Sequence, residues 1–227
     1  YDPLQEQVID YVGGMRDIKK HVLRPVIDID KIFVEDPVRM LRAIKYSATT
    51  HAKMSFSLRH KIRQSAILLS QISPSRLTEE MLKIINSGHA FEIIKEALDT
   101  DLYMYLQPAA TAMIYNDKNA EKSYMENIAK LDELVKNDSN VRLGKKLYFL
   151  VYDFIKSLTD WSKEVQGQYS SYELYTKTWT ECRNFVLPMN PQRKELEYAI
   201  KSVLSSFGVK IKTNKPKEPK PKDSKQK

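Results

Sequence analysis

The sequence predicts a mainly α fold, a helical neck and a helical body following a short β stretch. Three observations predict it. Apolar residues recur at helical spacing almost everywhere after Gly13-Gly14, start signals of the Asp-Pro and Ser-Pro type precede those runs, and strict alternation is confined to one short stretch near the N-terminus. That stretch, "QVIDYV" at 7–12, reads as a strand after a turn at Asp2-Pro3. A lone hairpin of this kind is unstable by itself. Asp36 then suits an N-cap, Pro37 the first helical position, and Val38, Leu41, Ile44 and Ala48 an apolar stripe. Ser73-Pro74 repeats the signal for a helix through Leu77, Met81, Ile84 and Ile85 that stops near Gly88. "HAFEIIKEALD" is a further helix, closed off before Pro108. From 121 to 136, Tyr124, Ile128, Leu131 and Val135 mark one face, and 147–158 is apolar enough for a buried central helix. Residues 171–187 carry Tyr172, Tyr175, Trp179 and Phe185. Asn190-Pro191 starts a last helix with Leu196, Ile200, Val203, Leu204 and Phe207, ending at Gly208. No repeat of solenoid length is visible.

A chain of 227 residues, 42% of them hydrophobic, is long enough for one or two cores. Its single cysteine, Cys182, excludes an internal disulfide and is expected as a small buried apolar residue in a reducing compartment. The longest apolar run, "LYFLVYDFI", is far short of a bilayer span and holds Asp153, and the N-terminus has no signal-peptide core. The expectation is a soluble, cytoplasmic protein with no membrane partner. Of the net charge of +8, the segment 212–227, with seven Lys, one Glu and one Asp, accounts for +5. That segment has nothing to bury, so 209–227 is expected to be a disordered Lys/Pro-rich tail, either solubilising or RNA-attracting. The opening "YDPLQ", without an initiator methionine, reads as a fragment whose fold begins upstream.

The stretch "VEDPVRMLRAIKY" concentrates the chemistry. On a helix starting at Pro37, Arg39, Arg42 and Lys45 are expected along one stripe, set off from the apolar stripe of 38, 41 and 44. Asp36 stands at the i−3 distance from Arg39, so a carboxylate acceptor and a guanidinium donor can be held together. Such a pair can read a nucleobase edge while Arg42 and Lys45 meet phosphates. The same spacing suits an N-cap ion pair beside a solvated face, and spacing alone favours that reading while leaving both open. Arg76 and Glu80 are spaced like an intrahelical ion pair, with Arg76 expected in a structural role. The stripe Tyr172, Tyr175 and Trp179 could stack RNA bases, but core packing is the expectation. His21, His51, His60 and His89 are expected as surface or packing residues; none is followed by Asp.

"DYVGGMRDIKKHVLR", "FVEDPVRMLRAIKYSA" and "ISPSRLTEEMLKIINSG" resemble, in order and spacing, the bacterial poly(A) polymerase and tRNA nucleotidyltransferase family, the class II nucleotidyltransferases. The resemblance covers about residues 8 to 108 and extends weakly to "ECRNFVLPMNPQRKELEYAI". It implies the end of a catalytic head over 1–24, a nucleotide- and RNA-binding neck over 25–87 and a body over 88–208. It also implies ATP as substrate, the 3′ end of an mRNA or tRNA as partner, and Mg as a cofactor held by carboxylates of a head upstream of Tyr1. The family's E-D-x-x-R element selects the base with residues matching Asp36 and Arg39; Arg42 matches a further nucleotide contact, and Lys45 stands where the family has Arg. Asp28-Ile29-Asp30 imitates the family's metal-binding D-x-D, but the helix that follows leaves no room for the sheet such a pair needs, so both are expected as loop residues. The expected function is the base-selecting, RNA-gripping part of an enzyme that adds AMP to RNA ends, itself inactive. A CCA-adding enzyme and a non-catalytic helical RNA-binding module are the alternatives.

Overall fold

The computed structural model describes residues 1–162, 167–209 and 211. The tail expectation lies almost wholly outside them. In chain order the elements are α1 (Gly14–Lys19), β1 (Val22–Leu23), α2 (Ile29–Glu35), α3 (Val38–Thr50), β2 (Lys53–Met54), α4 (Phe56–Ser65), a 3₁₀ segment (Ala66–Gln71), α5 (Pro74–Ile85), α6 (Ala90–Asp99), α7 (Tyr103–Leu106), α8 (Pro108–Asn116), α9 (Lys118–Asn137), α10 (Leu143–Ser157), α11 (Ser171–Phe185) and α12 (Arg193–Ser206). Mainly α is the observed class. Among the described residues the only sheet is parallel, β1 beside β2, with Val22 opposite Lys53 and Leu23 opposite Met54.

The expected strand at 7–12 does not form. Asp2 and Gln7 close a small bridged turn, and Val8, Ile9, Tyr11 and Val12 lie exposed without a neighbouring strand to satisfy their backbone. Asp10 instead organises the start of α1, accepting from the backbone N–H groups of Val12, Gly14 and Met15, and these bonds hold its carboxyl below the usual range.

The helical expectations for α3, α5, α9 and α12 are met on their apolar faces. Val38, Leu41 and Ile44 are buried, as are Leu77, Met81, Ile84 and Ile85, then Tyr124, Ile128, Leu131 and Val135, and Leu196, Ile200, Val203 and Leu204. Each such side chain contributes about 1.5–3 kcal/mol by leaving water. The α10 helix is the centre of the body, packed chiefly on α12 and α9. α12 begins at Arg193, two residues after the expected Pro191. One buried cluster runs from Phe33 to Val209, and α3 packs on α6 across the junction at 87/88. In the turn between α5 and α6, Gly88 takes a left-handed φ of 70°, a conformation that favours glycine.

Buried carboxylates fasten the body. Asp132 on α9 accepts from the N–H groups of Ala90 and Phe91 at 2.7 and 2.8 Å, so it caps α6, whose own N-cap residue His89 makes no side-chain cap. Asp153 on α10 accepts from Ser123 and Asn127 of α9. Glu195 on α12 accepts from Arg142 and from the N–H of Gly144 at the start of α10. A Cβ on Gly144 would stand 2.7 Å from the Tyr198 ring, so glycine is what lets α10 and α12 approach there.

Candidate nucleotide-binding site

Asp36 sits in the turn between α2 and α3, where it ends the first helix in extended backbone conformation. It was expected to cap α3 with its side chain, and it does not. Its carbonyl accepts the N–H of Arg39 at 3.0 Å, which leaves the carboxylate free for guanidinium groups. Oδ1 accepts from Arg76 Nη2 at 2.7 Å, across 40 residues of sequence, and Oδ2 lies 3.8 Å from Arg39 Nε. Arg76 therefore meets Asp36 and not Glu80, the partner its spacing suggested. Glu80 is buried and pairs with Lys83 at 2.6 Å and Lys45 at 3.8 Å.

The Arg39 guanidinium is held by Asp36 on one side and by Glu35 Oε2, 3.6 Å from Nη1, on the other. Neither contact is a hydrogen bond, and Nη1 is buried with no hydrogen-bond partner. A buried guanidinium donor left without a hydrogen bond is costly, and the nearby Glu35 carboxylate offsets part of that cost.

Arg39 and Arg42 line one pocket of about 250 Å³, with Arg24, Phe33, Ala43 and Tyr46 among its walls. Arg24 is itself tethered to Asp17 and to the carbonyl of Val12. Arg42 is exposed and has no ion pair among the described residues. Lys45 is not on this wall. Each three-residue step on an α-helix falls about 60° short of a full turn, so from Arg39 to Lys45 the lag reaches about 120° and turns the side chain toward α5. The residue seven positions on, Tyr46, returns to the line of Arg39, and its half-exposed ring supplies an aromatic wall. Tyr46 and Arg24 are pocket residues that the sequence reading missed; the seven-residue spacing was the available signal for Tyr46.

Asp28 caps α2 by accepting from the N–H of Asp30, and Asp30 binds Lys61 at 2.6 Å. Among the described residues no group of three His, Cys, Asp or Glu can hold a metal ion. No described helix is long and apolar enough to cross a membrane. Cys182 is buried, and burial pushes its thiol up. On α11 the buried stripe is Leu174, Thr178, Cys182 and Phe185. The aromatic stripe lies beside it: Tyr172 is exposed, while Tyr175 and Trp179 are half-buried under Lys201 and Arg193.

A mainly helical chain in which a pocket is lined by three arginines, Arg39 among them paired with the Asp36 carboxylate, is a candidate nucleotide-binding module. Residues 53–114 match a family model described as the probable RNA and SrmB-binding site of polymerase A. The chain is 37% identical over 133 residues to poly(A) polymerase I of Salmonella typhi, covering 59% of this chain and 28% of that protein. It is 38% identical over 130 residues to poly(A) polymerase I of Escherichia coli O157:H7, covering 57% and 27%. A CCA-adding enzyme of Bacillus licheniformis is 34% identical over 100 residues, covering 44% and 25%. The chain thus spans little more than a quarter of the length of the curated relatives it matches. Over the aligned stretches it is similar to poly(A) polymerases and CCA-adding enzymes.

Proposed function

We propose that this chain is the nucleotide-selecting and RNA-gripping part of a polynucleotide adenylyltransferase that adds AMP from ATP to RNA 3′ ends with release of pyrophosphate. The observation that carries the reading is the single pocket shared by Arg39 and Arg42 with Asp36 at Arg39's side. Adenine offers a donor at its amino group and acceptors at its ring nitrogens; Asp36 Oδ2 accepts from the first and Arg39 donates to the second. Tyr46 stacks against the base, and Arg42 pairs with phosphate. Arg76 holds the other oxygen of Asp36 and so fixes the direction in which the carboxylate points. Lys45, committed to Glu80, adds positive charge at a distance.

The polymerase branch is favoured because the likeness to poly(A) polymerase I is longer and closer than that to the CCA-adding enzyme. Magnesium belongs in this reading to carboxylates outside the chain, since Asp28 and Asp30 are occupied as cap and ion pair. No step through a metal is assigned to residues of this chain.

The test is RNA extension by the full-length enzyme, with each of the four nucleotides, on an unstructured RNA and on a tRNA ending before CCA. Long adenosine tails on both RNAs are expected, and Arg39→Ala is expected to reduce the preference for ATP by about tenfold or more. Unchanged selectivity in that variant refutes the base-reading role. Addition confined to CCA on the tRNA assigns the chain to the other branch.

A further inference from the structure

We propose that a second cavity, the groove lined by Ser47, His51, Lys53, Phe56 and Arg59, binds single-stranded RNA with the Phe56 ring as a stacking platform. The inference rests on the RNA-binding half of the function proposed above and gives it a location and residues. The groove is larger than the nucleotide pocket, about 540 Å³, and lies where the C-terminal end of α3 meets β2 and the first turn of α4.

Phe56 is 84% exposed. Its place is fixed by the local sequence: Ser55 caps α4 by accepting from the N–H of Leu58, which sets Phe56 at the first helical position with its side chain pointing out. The His60 ring lies nearly parallel to it, at an interplanar angle of 11° and a centroid distance of 6.1 Å, and broadens the flat surface. A rigid aromatic face in water beside cationic side chains is what an unpaired base uses, because every base has a face to stack whatever its edge. Duplex RNA has those faces occupied, so single strands are the ligand selected.

The charge pattern points the same way. Residues 37–78 contain eight Lys and Arg and no Asp or Glu. Acids from other segments offset several of these: Asp30 holds Lys61, Glu96 holds Arg59 and Asp101 holds Arg63. Lys53 in the groove and Arg42 in the nucleotide pocket keep no ion pair among the described residues. The uncompensated charge is thus found at the two cavities. The β1–β2 pair connects the two cavities, since Leu23 lines the nucleotide pocket and Met54, its partner in that pair, lines the groove. A strand gripped in the groove is thereby linked to the nucleotide pocket through the β1–β2 pair.

The experiment is titration of the 227-residue chain against a fluorescent single-stranded oligoadenylate, repeated at several salt concentrations and with an RNA duplex as competitor. Phe56→Ala is expected to weaken binding about tenfold without changing the salt dependence, and Phe56→Trp to restore it. Lys53→Ala is expected to lower the salt slope by about one. Phe56 is so exposed that its truncation leaves the core intact, and a thermal melt checks this. Affinity unchanged within twofold in both alanine variants overturns the groove as an RNA site and leaves the exposed ring to a protein partner. If the unsubstituted chain binds no RNA, the RNA-binding half of the proposed function falls with it. If RNA binding fails only in the Phe56 and Lys53 variants while the effect of Arg39→Ala on nucleotide choice is absent, the groove stands and the base-reading role falls.

Discussion

The neck face around α3 and α4 and the body around α9, α10 and α12 use charge in opposite ways. In the body, carboxylates are buried and saturated: Asp132 takes two backbone N–H groups, Asp153 two side chains, and Glu195 a guanidinium and a backbone N–H. In the neck the local sequence supplies only cations, acids arrive from distant segments, and Arg42 and Lys53 are left over. A buried, satisfied carboxylate locks one packing arrangement, because any other would strand it away from water. Unmatched surface cations do nothing for the fold and are available to an anion. The comparison teaches that in this chain stability and ligand binding are assigned to different charges.

The largest expected effect lies in the body. Asp132→Ala orphans two N–H groups at the start of α6 and is expected to cost about 2–3 kcal/mol in urea unfolding. A cost below about 0.5 kcal/mol there would break the distinction between the regions.

Glu195→Gln sharpens it through pH. The hydrogen bond from Arg142 holds the Glu195 carboxyl below its ordinary value, with a smaller contribution from the N–H of Gly144. A depressed folded value means the unfolded chain binds the proton first, so the stabilisation is present above the unfolded pKa, about 4.3, and is lost as pH falls through the folded value. Asp132 acts with the opposite sign, because burial raises its carboxyl and ionisation there opposes folding. The difference in urea midpoint between about pH 6 and about pH 3 should shrink in the Gln variant. An undiminished difference would show that the Arg142 pairing does not control acid stability.

The smallest expected effect on the fold is at Arg42. Arg42→Ala should leave the melting temperature within about 2 °C, yet weaken ATP binding about tenfold. A large loss of stability with unaltered ATP binding would assign Arg42 to the structure.

Much of the helical layout was legible from periodicity, since one buried face per helix leaves its mark at positions such as 77, 81, 84 and 85. The strand expected at 7–12 was misread because alternation reports two faces but says nothing of a neighbour to pair with. Helix α8 after Pro108 was overlooked: its buried residues are Ala110, Thr111 and Ile114, a sparse apolar face.

By itself the sequence determined which residues can be helical, where positive charge is concentrated, and that Asp36 and Arg39 stand three apart, all consequences of local geometry and composition. Only the tertiary structure decided which cations share a cavity. It brought Arg76 to Asp36 from 40 residues away, gave Lys45 to Glu80, and put Arg24 beside Arg39. The physical reason is that a helix position fixes a direction about the axis, but the neighbour met in that direction comes from the packing of distant segments.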